Sequence, residues 1–154
     1  MTDPSKASSL GAREMLERVV PLLLSKDLGG FTDLFAEDGV FELPFAPPGV
    51  PRRIQGREKI RAYLTAGDTP LVFEDFRPVA IHETTEPETI IAEYDAHGEV
   101  ATTRRPFTVR YLWVLGTFGG EIAFWRDYWS PFELFDLLGI LPDVVSQLTN
   151  DDPV

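Results

Sequence analysis

Two carboxylates and an imidazole alternate along one predicted β-strand, between Ile90 and Gly98. Glu93, Asp95 and His97 share one face of this strand, each about 7 Å from the next. Carboxylate and imidazole side chains are common general acids and bases. The face is either one wall of a catalytic site or the solvated side of a half-exposed strand, and charge alone does not decide between them.

A further acid lies among aromatic residues in the last predicted strand. Asp127 shares one face of that strand with Trp125 and Trp129, and Arg126 lies on the other face. A carboxylate in apolar surroundings is costly as an anion, so its pKa rises toward the range where a general acid or base is effective. Asp127 is therefore a candidate for proton transfer. The alternative is a structural ion pair between Arg126 and a carboxylate at the sheet edge.

Composition argues against several other kinds of site. The 154-residue chain has no cysteine and only two histidines, which argues against thiol catalysis, disulfides and a multi-histidine metal site. Neither a phosphate loop, nor a dinucleotide fingerprint, nor a nucleophile elbow occurs, so we expect no metal and no cofactor. With a formal net charge of −11 and no basic stripe, we expect no nucleic-acid partner and no binding to anionic membranes.

Hydropathy indicates where the protein resides. No apolar run approaches the roughly 20 residues that span a bilayer, and the segment from Met1 to Ala12 lacks the apolar region of a secretory signal. We therefore expect a cytoplasmic protein.

These residues must be positioned by helices and strands, and the spacing of apolar residues predicts where each of these elements lies. Helical spacing predicts helices over 13–25, 28–36 and 56–65, with Pro21 kinking the first helix or ending its regular part. Strands are predicted over 40–45, 73–83, 89–100, 107–115 and 121–129, followed by a closing helix over 132–138 that Gly139 and Pro142 end.

This order predicts an α+β fold, in which a curved antiparallel sheet wraps around three to four helices as a cone with a blind cavity. A single domain is expected over residues 11–149, with a disordered lead-in over 1–10 and a tail over 150–154.

Several motifs in this order resemble the nuclear transport factor 2-like superfamily and, within it, the SnoaL-like small-molecule proteins. They are Asp27-Leu28, Leu34-Phe35-Ala36-Glu37-Asp38, Phe41-Glu42-Leu43-Pro44, Gly56-Arg57-Glu58-Lys59-Ile60 and Trp125-Arg126-Asp127-Tyr128-Trp129. The resemblance covers roughly residues 12 to 141. It implies a cystatin-like cone and a homodimer formed through the outer face of the sheet. Isomerases, cyclases, dehydratases, epoxide hydrolases and non-catalytic binders all use this scaffold.

Two enzyme groups of the superfamily lack part of their catalytic set here. Leu43, Val19 and Val109 stand where ketosteroid isomerases have their general base, their oxyanion tyrosine and their protonated aspartate. Limonene-type epoxide hydrolases use two acids and an arginine. Asp127 and Asp95 match those acids, but Glu93 stands in place of the arginine.

The phenazine-biosynthesis A/B proteins are the most similar of the three groups. Glu93-Tyr94-Asp95-Ala96-His97-Gly98 reproduces their Glu-x-Asp-x-His-Gly strand, Arg126-Asp127-Tyr128 replaces their late Arg-Glu-aromatic segment, and 132–140 resembles their last helix. In that group the late acid transfers protons while amino-ketone units condense, and Asp127 is its counterpart. A histidine that those proteins carry in the third helix falls on Tyr63.

The leading hypothesis is a cofactor-independent enzyme of secondary metabolism that isomerises, cyclises, dehydrates or condenses a hydrophobic or aromatic substrate. Asp127 is its proton shuttle, Asp95 or Glu93 raises the pKa of Asp127 by like-charge repulsion, and His97 and Tyr63 donate hydrogen bonds. The predicted catalytic residues are Asp127, Asp95, Glu93 and His97. The predicted substrate-binding residues are Tyr63, Phe41, Leu43, Val109, Tyr111, Trp113, Trp125 and Trp129.

Two alternatives stay open. One is a non-catalytic binding or scaffold protein, in which the same cavity holds a ligand or is filled by side chains. A filled cone with Asp127 paired to Arg104, Arg105 or Arg110 would favour the scaffold. The other is an epoxide hydrolase with an altered triad. A cavity of several hundred cubic ångströms with Asp127 facing into it would favour the enzyme.

Overall fold

The computed structural model describes residues 11–150, which form five helices and six strands. The helices are Ala12–Leu24 (α1), Leu28–Asp33 (α2), Arg57–Thr65 (α3), Pro131–Leu137 (α4) and Leu141–Asn150 (α5). The strands are Phe35–Glu42 (β1), Arg53–Gln55 (β2), Leu71–Glu83 (β3), Thr89–Val100 (β4), Pro106–Phe118 (β5) and Glu121–Tyr128 (β6). The predicted lead-in and residues 151–154 of the predicted tail lie outside the described residues. Asn150, also assigned to that tail, belongs to α5.

All the strands described join one curved sheet in the order β2-β1-β6-β5-β4-β3, which confirms the predicted α+β fold. Neighbouring strands are antiparallel except β1 and β6, which are parallel. Register shifts interrupt the pairing of β1 with β6, of β3 with β4 and of β5 with β6. Such bulges bend a sheet and increase its twist.

The core lies between the inner face of this sheet and the first three helices. The helical spacing of Met15, Leu16 and Val19 turns one face of α1 inward, and all three side chains are buried. Ile60 of α3 and Phe31 of α2 are buried in the same cluster. Burial of this apolar surface is the main force that holds the helices against the sheet.

The boundary between α2 and β1 differs from the prediction of a helix to residue 36. Asp27 caps α2 as predicted, accepting a hydrogen bond from the Gly30 amide at 2.8 Å, but the helix ends at Asp33. The Leu34 carbonyl then accepts the Ile122 amide of β6 at 2.8 Å. Pairing with β6 thus draws residues 35–38 into a strand, where tertiary contacts override local helical spacing.

Two prolines expected to interrupt helices do not end them. Pro21 lies within α1, on its exposed side, and the helix continues to Leu24. Gly139, with φ +72°, follows α4 as predicted, but Pro142 occupies the first turn of α5 instead of marking the end of helical structure. A proline in a first turn loses no intrahelical hydrogen bond. Among residues 11–150, no helix combines the length and apolarity needed to cross a membrane.

Candidate active site

An aromatic cavity of about 670 Å³ opens between the helices and the inner face of the sheet. Its volume lies within the range of small-molecule sites. Residues of the α1–α2 turn and of the α3–β3 loop form its rim, including the half-buried Lys26 and the exposed Asp68. The aromatic residues that line it are Phe31, Phe41, Phe73, Phe76, Tyr111, Trp113 and Trp125. We call it the main cavity.

Strand register brings Trp113 and Asp127 together on the inner face. Trp113 of β5 is paired with Asp127 of β6, and Ala92 of β4 is the opposite neighbour of Trp113. Residues paired directly across a sheet share one face, so the indole lies beside the carboxyl. The Trp113 ring stacks on Tyr94, with centroids 5.1 Å apart, and on Tyr111, with centroids 5.9 Å apart. These contacts fix the indole in place.

Asp127 is a carboxyl held in apolar surroundings at the wall of this cavity. The Trp113 Nε1–H donates a hydrogen bond to its Oδ1 atom at 3.0 Å. The Oδ2 atom has no hydrogen-bond partner among residues 11–150. Asp127 keeps part of its accessible surface because it lines the cavity, while the surrounding protein excludes most solvent from the carboxyl.

The charge state of Asp127 is set mainly by this burial. Burial raises the pKa of Asp127 to about 7, and the hydrogen bond from Trp113 opposes the rise. Tyr111 is affected by the same surroundings, since burial and, to a lesser extent, the nearby Asp127 carboxylate raise the pKa of its hydroxyl. Tyr111 therefore stays neutral and can act only as a hydrogen-bonding hydroxyl near neutral pH.

The predicted substrate-binding residues divide into three groups. Phe41, Tyr111, Trp113 and Trp125 line the main cavity. Val109 and Trp129 line a smaller cavity of about 200 Å³, to which Tyr111 and Asp127 also contribute. Within the described part of the chain, Leu43 and Tyr63 line neither cavity. Leu43 is buried in the core and Tyr63 packs against it.

Three of the predicted catalytic residues lie on the other side of the sheet from Asp127. Alternation along β4 buries Ile90, Ala92, Tyr94 and Ala96 against the core, so Glu93, Asp95 and His97 point away from the main cavity. The sheet therefore separates these three side chains from the Asp127 carboxyl. The burial pattern of β4 therefore supports the interpretation in which Glu93, Asp95 and His97 lie on the solvated side of the strand.

Glu93, Asp95 and His97 each have a partner on that outer face, the partner of His97 being the Thr108 hydroxyl at 2.9 Å. Asp95 accepts two hydrogen bonds from Arg110, at 2.8 and 3.0 Å, and this guanidinium lowers the pKa of Asp95. Glu93 pairs with His82, the two nearest atoms being 3.0 Å apart. The prediction that Asp95 or Glu93 raises the pKa of Asp127 is wrong, because burial is what raises it.

The arginines proposed as structural partners of Asp127 also pair elsewhere. Arg104 contacts Glu99 at 2.9 Å and Arg105 contacts Asp136 at 2.8 Å, while Arg110 holds Asp95. Arg126 lies on the outer face, where its Nε is 3.7 Å from the Glu42 carboxylate. The predicted scaffold arrangement, with a filled cone and a paired Asp127, is absent from residues 11–150.

Sequence reasoning missed several cavity residues, among them Phe73 and Phe76 of β3. Strict alternation places residues three apart on opposite faces of a strand. A register shift between Phe73 and Asp75 adds one residue to β3, and both rings then line the main cavity. The rings lie 5.0 Å apart. A bulge of this kind depends on the partner strand, so the sequence of β3 carries no local signal for it.

Among the described residues, no three His, Asp or Glu side chains converge to form a metal site. The expectation that the protein needs no metal and no cofactor stays a prediction.

Comparison with known proteins agrees with this architecture. The uncharacterized PhzA/B-like protein PA3332 of Pseudomonas aeruginosa is 35% identical over 130 residues, covering 84% of this chain and 92% of that protein. The uncharacterized protein YesE of Bacillus subtilis is 33% identical over 128 residues, covering 83% and 87%. The crystal structure of a candidate isomerase from Bacillus subtilis superposes with a TM-score of 0.76 at 33% identity, covering 84% of this chain and 93% of that one.

These relatives support the resemblance to phenazine-biosynthesis A/B-type proteins that the sequence motifs indicate. The model of the SnoaL-like domain matches residues 14–125, which include most of the helices and strands around the main cavity. The chain therefore belongs to the SnoaL-like domain family, within the nuclear transport factor 2-like fold.

Proposed function

We propose that the protein is a cofactor-independent enzyme of secondary metabolism, in which Asp127 transfers protons to and from a hydrophobic or aromatic substrate. One observation carries the proposal: the enclosed Asp127 carboxyl, with a pKa of about 7, faces an aromatic cavity of about 670 Å³. The reaction is an isomerisation, cyclisation, dehydration or condensation. The likeness to a PhzA/B-like protein and to a candidate isomerase supports this class.

The arrangement suits a carboxyl that acts both as base and as acid. Near pH 7, the ionised and neutral forms of a carboxyl with this pKa are present in comparable amounts. As the carboxylate, Oδ2 takes a proton from a carbon next to a carbonyl group, and the electron pair of the C–H bond moves toward the carbonyl oxygen. The neutral carboxyl then returns this proton to another atom of the substrate, so that no proton is gained or lost overall.

The other residues of the site orient the Asp127 carboxyl, position the substrate and exclude water. Trp113 holds Oδ1, which leaves Oδ2 directed to the substrate. The aromatic walls stack on flat ring systems, which they bind through apolar surface and ring contacts. Tyr111, with a hydroxyl that stays neutral, is placed beside Asp127 to donate a hydrogen bond to a substrate oxygen.

Hydrogen–deuterium exchange of a ketone tests this proposal without knowledge of the natural substrate. We would follow the carbon-bound α-protons of 2-tetralone, an aromatic ketone, by NMR in D₂O with and without protein. Positioned acid–base groups contribute about 10²–10⁴-fold in rate, so Asp127→Asn should slow the protein-dependent exchange at least about a hundredfold. Circular dichroism would show that this variant remains folded.

Asp143→Asn is the matched control, since it removes one exposed carboxyl of α5 that lines neither cavity. Exchange as fast in Asp127→Asn as in the original protein would remove Asp127 from the mechanism. Incubation with simple epoxides would test the altered-triad epoxide hydrolase in parallel. That reaction needs two acids at one site, whereas Asp95 and Asp127 lie on opposite faces of the sheet.

We also propose that two copies pair through the outer face of the sheet. An open groove of about 800 Å³ on this face is lined by Phe45, Leu112, Tyr128 and Phe132, with Arg110 and Glu93 nearby. Phe45 and Phe132 are each 59% exposed in the single chain. A cytoplasmic location stays a prediction.

A further inference from the structure

A second, smaller cavity adjoins the main one behind the reacting carboxyl. It has a volume of about 200 Å³ and shares Thr69, Phe73, Tyr111 and Asp127 with the main cavity. The residues that line the smaller cavity and not the main one are Leu71, Val109, Trp129, Ser130 and Leu134, of which Trp129 and Ser130 also line the outer groove. Asp127 thus lies at the junction of two compartments.

Phe73 and Tyr111 line both compartments. The rings of Phe73 and Tyr111 meet edge to face with centroids 6.5 Å apart. A ring edge can be displaced by a side-chain rotation, so a ligand can extend past this pair without any strand moving. The smaller cavity then receives whatever part of the ligand projects beyond the Asp127 carboxyl.

Helix α4 covers the smaller cavity. Leu134 is the residue of α4 that lines it. Arg105, in the connection between β4 and β5, donates hydrogen bonds to the Asp136 carbonyl at 3.0 Å and to the Asp136 carboxylate at 2.8 Å. These bonds tie α4 to the sheet. None of the α4 side chains is fully buried, so the covering helix is held at few points.

The lining of the smaller cavity decides what it can bind. Leu71, Val109 and Leu134 are apolar, and Asp127 at the junction is its one charged residue. A second charged group would be desolvated there without a partner, which is costly. An alkyl chain of a few carbons fits both the volume and the polarity.

We propose that the smaller cavity is a second subsite, which takes a short alkyl substituent attached next to the reacting carbonyl or hydroxyl of a ring-shaped substrate. The ring system occupies the main cavity, and the substituent passes Phe73 and Tyr111 to lie against Val109 and Leu134. The inference rests on the proposed function in placing the reacting group at Asp127. Its test measures binding alone.

Isothermal titration with 2-naphthol, 1-propyl-2-naphthol and 1-hexyl-2-naphthol measures this subsite. Each buried methylene strengthens binding about fourfold, so the propyl compound should bind at least about tenfold more tightly than 2-naphthol. The hexyl compound should gain little beyond the propyl compound, because its six carbons nearly fill a cavity of about 200 Å³. Equal affinities for 2-naphthol and its propyl derivative would overturn the inference.

Two substitutions of one residue should move the chain-length preference in opposite directions. Leu134→Trp fills the subsite and should abolish the propyl advantage while 2-naphthol binds as before. Leu134→Ala enlarges the subsite and should shift the best chain toward hexyl, a result that a disturbed α4 would not produce. Leu148→Trp is the control, because Leu148 of α5 is 63% exposed and lines neither cavity nor the outer groove.

A loss of affinity in Leu134→Trp that is equal for all three naphthols would contradict the subsite. The result is separable from catalysis. If Asp127→Asn leaves proton exchange unchanged but the chain-length preference follows Leu134, the proposed function fails and the subsite stands. If Asp127→Asn slows proton exchange but the chain-length preference does not follow Leu134, the subsite is rejected and the proposed function stands.

Discussion

The chemistry of the site depends on one carboxyl and one N–H donor. Asp127 lies among aromatic rings, and Trp113 supplies the one hydrogen bond that it accepts within residues 11–150. Burial favours the neutral acid, whereas the indole N–H favours the carboxylate. The pKa of about 7 is the balance of these two effects.

Trp113→Phe removes the donor and keeps an aromatic ring at the same position. Because the hydrogen bond lowers the pKa of Asp127, its loss should raise that pKa. Base catalysis needs the ionised form, so the rate of 2-tetralone exchange rises with pH through this pKa, and the midpoint of the rise should move to higher pH. A pH profile of the exchange rate measures the midpoint.

Trp125→Phe is the matched control for this profile. It also replaces an indole of the main cavity wall, and Trp125 makes no hydrogen bond to Asp127 in the described part of the chain. A midpoint that moves equally in both variants would assign the effect to altered packing and not to the lost N–H.

The sequence was sufficient to predict that the Asp127 carboxyl is sheltered. It was insufficient to predict which other residues share the site with Asp127. The aromatic neighbours of Asp127 along β6 already indicate a sheltered carboxyl. Glu93, Asp95 and His97 share a face in the sequence pattern too, but which face is inward depends on what packs against β4. Arg110, 15 residues away, pairs with Asp95 and makes the outer position favourable.

At the scale of elements, the cavity depends on how closely β3 and β4 approach. A Cβ atom added at Gly98 of β4 would collide with the Val72 carbonyl oxygen, and it would lie 2.9 Å from the Phe107 ring. The bulge that turns Phe73 inward lies beside this glycine, since Phe73 is paired with Gly98. Only a residue without a side chain allows this approach.

Gly98→Ala should therefore destabilise the fold by about 1–3 kcal/mol, the usual cost of overpacking. Gly67→Ala is the control, since a Cβ there meets no atom within 4 Å. Chemical denaturation measures both free energies of unfolding. A cost at Gly98 no larger than at Gly67 would show that the two strands can separate without penalty.

Most elements follow from local pattern, and the exceptions among the strands have a common cause. The bounds of β4 match the prediction, and α1, α3, β3, β5, β6 and α4 differ from it by a few residues at their ends. The α2–β1 boundary and the short strand β2 depend on pairing with distant strands. Helix α5 is a separate case, because it contains in its first turn the proline expected to end helical structure. Long-range pairing is invisible to local periodicity.

At the scale of the whole molecule, the sheet has two faces with different tasks. The inner face encloses the cavities, and the outer face carries paired charges and exposed aromatic side chains. The proposed dimer would cover the outer face and leave the rim of the main cavity open.

Leu112→Glu tests this dimer. Leu112 lines the outer groove, so a carboxylate there would be desolvated without a partner, and the protein should become a monomer. Phe118→Glu is the control, because Phe118 is 80% exposed beside the β5–β6 turn and does not line the groove. Light scattering coupled to gel filtration measures the mass. A monomeric original protein would contradict the dimer.

Direct titration of the Asp127 carboxyl tests the central claim. Carbon-13 NMR of protein labelled at the aspartate carboxyl carbon, with Asp127→Asn to assign the resonance, follows the ionisation of this one group. The structure predicts a midpoint of about pH 7, because the folded chain shields this oxygen pair from water. A midpoint near the ordinary aspartate value of about 4 would show that the group is solvated, and the proposed chemistry would then lack its acid.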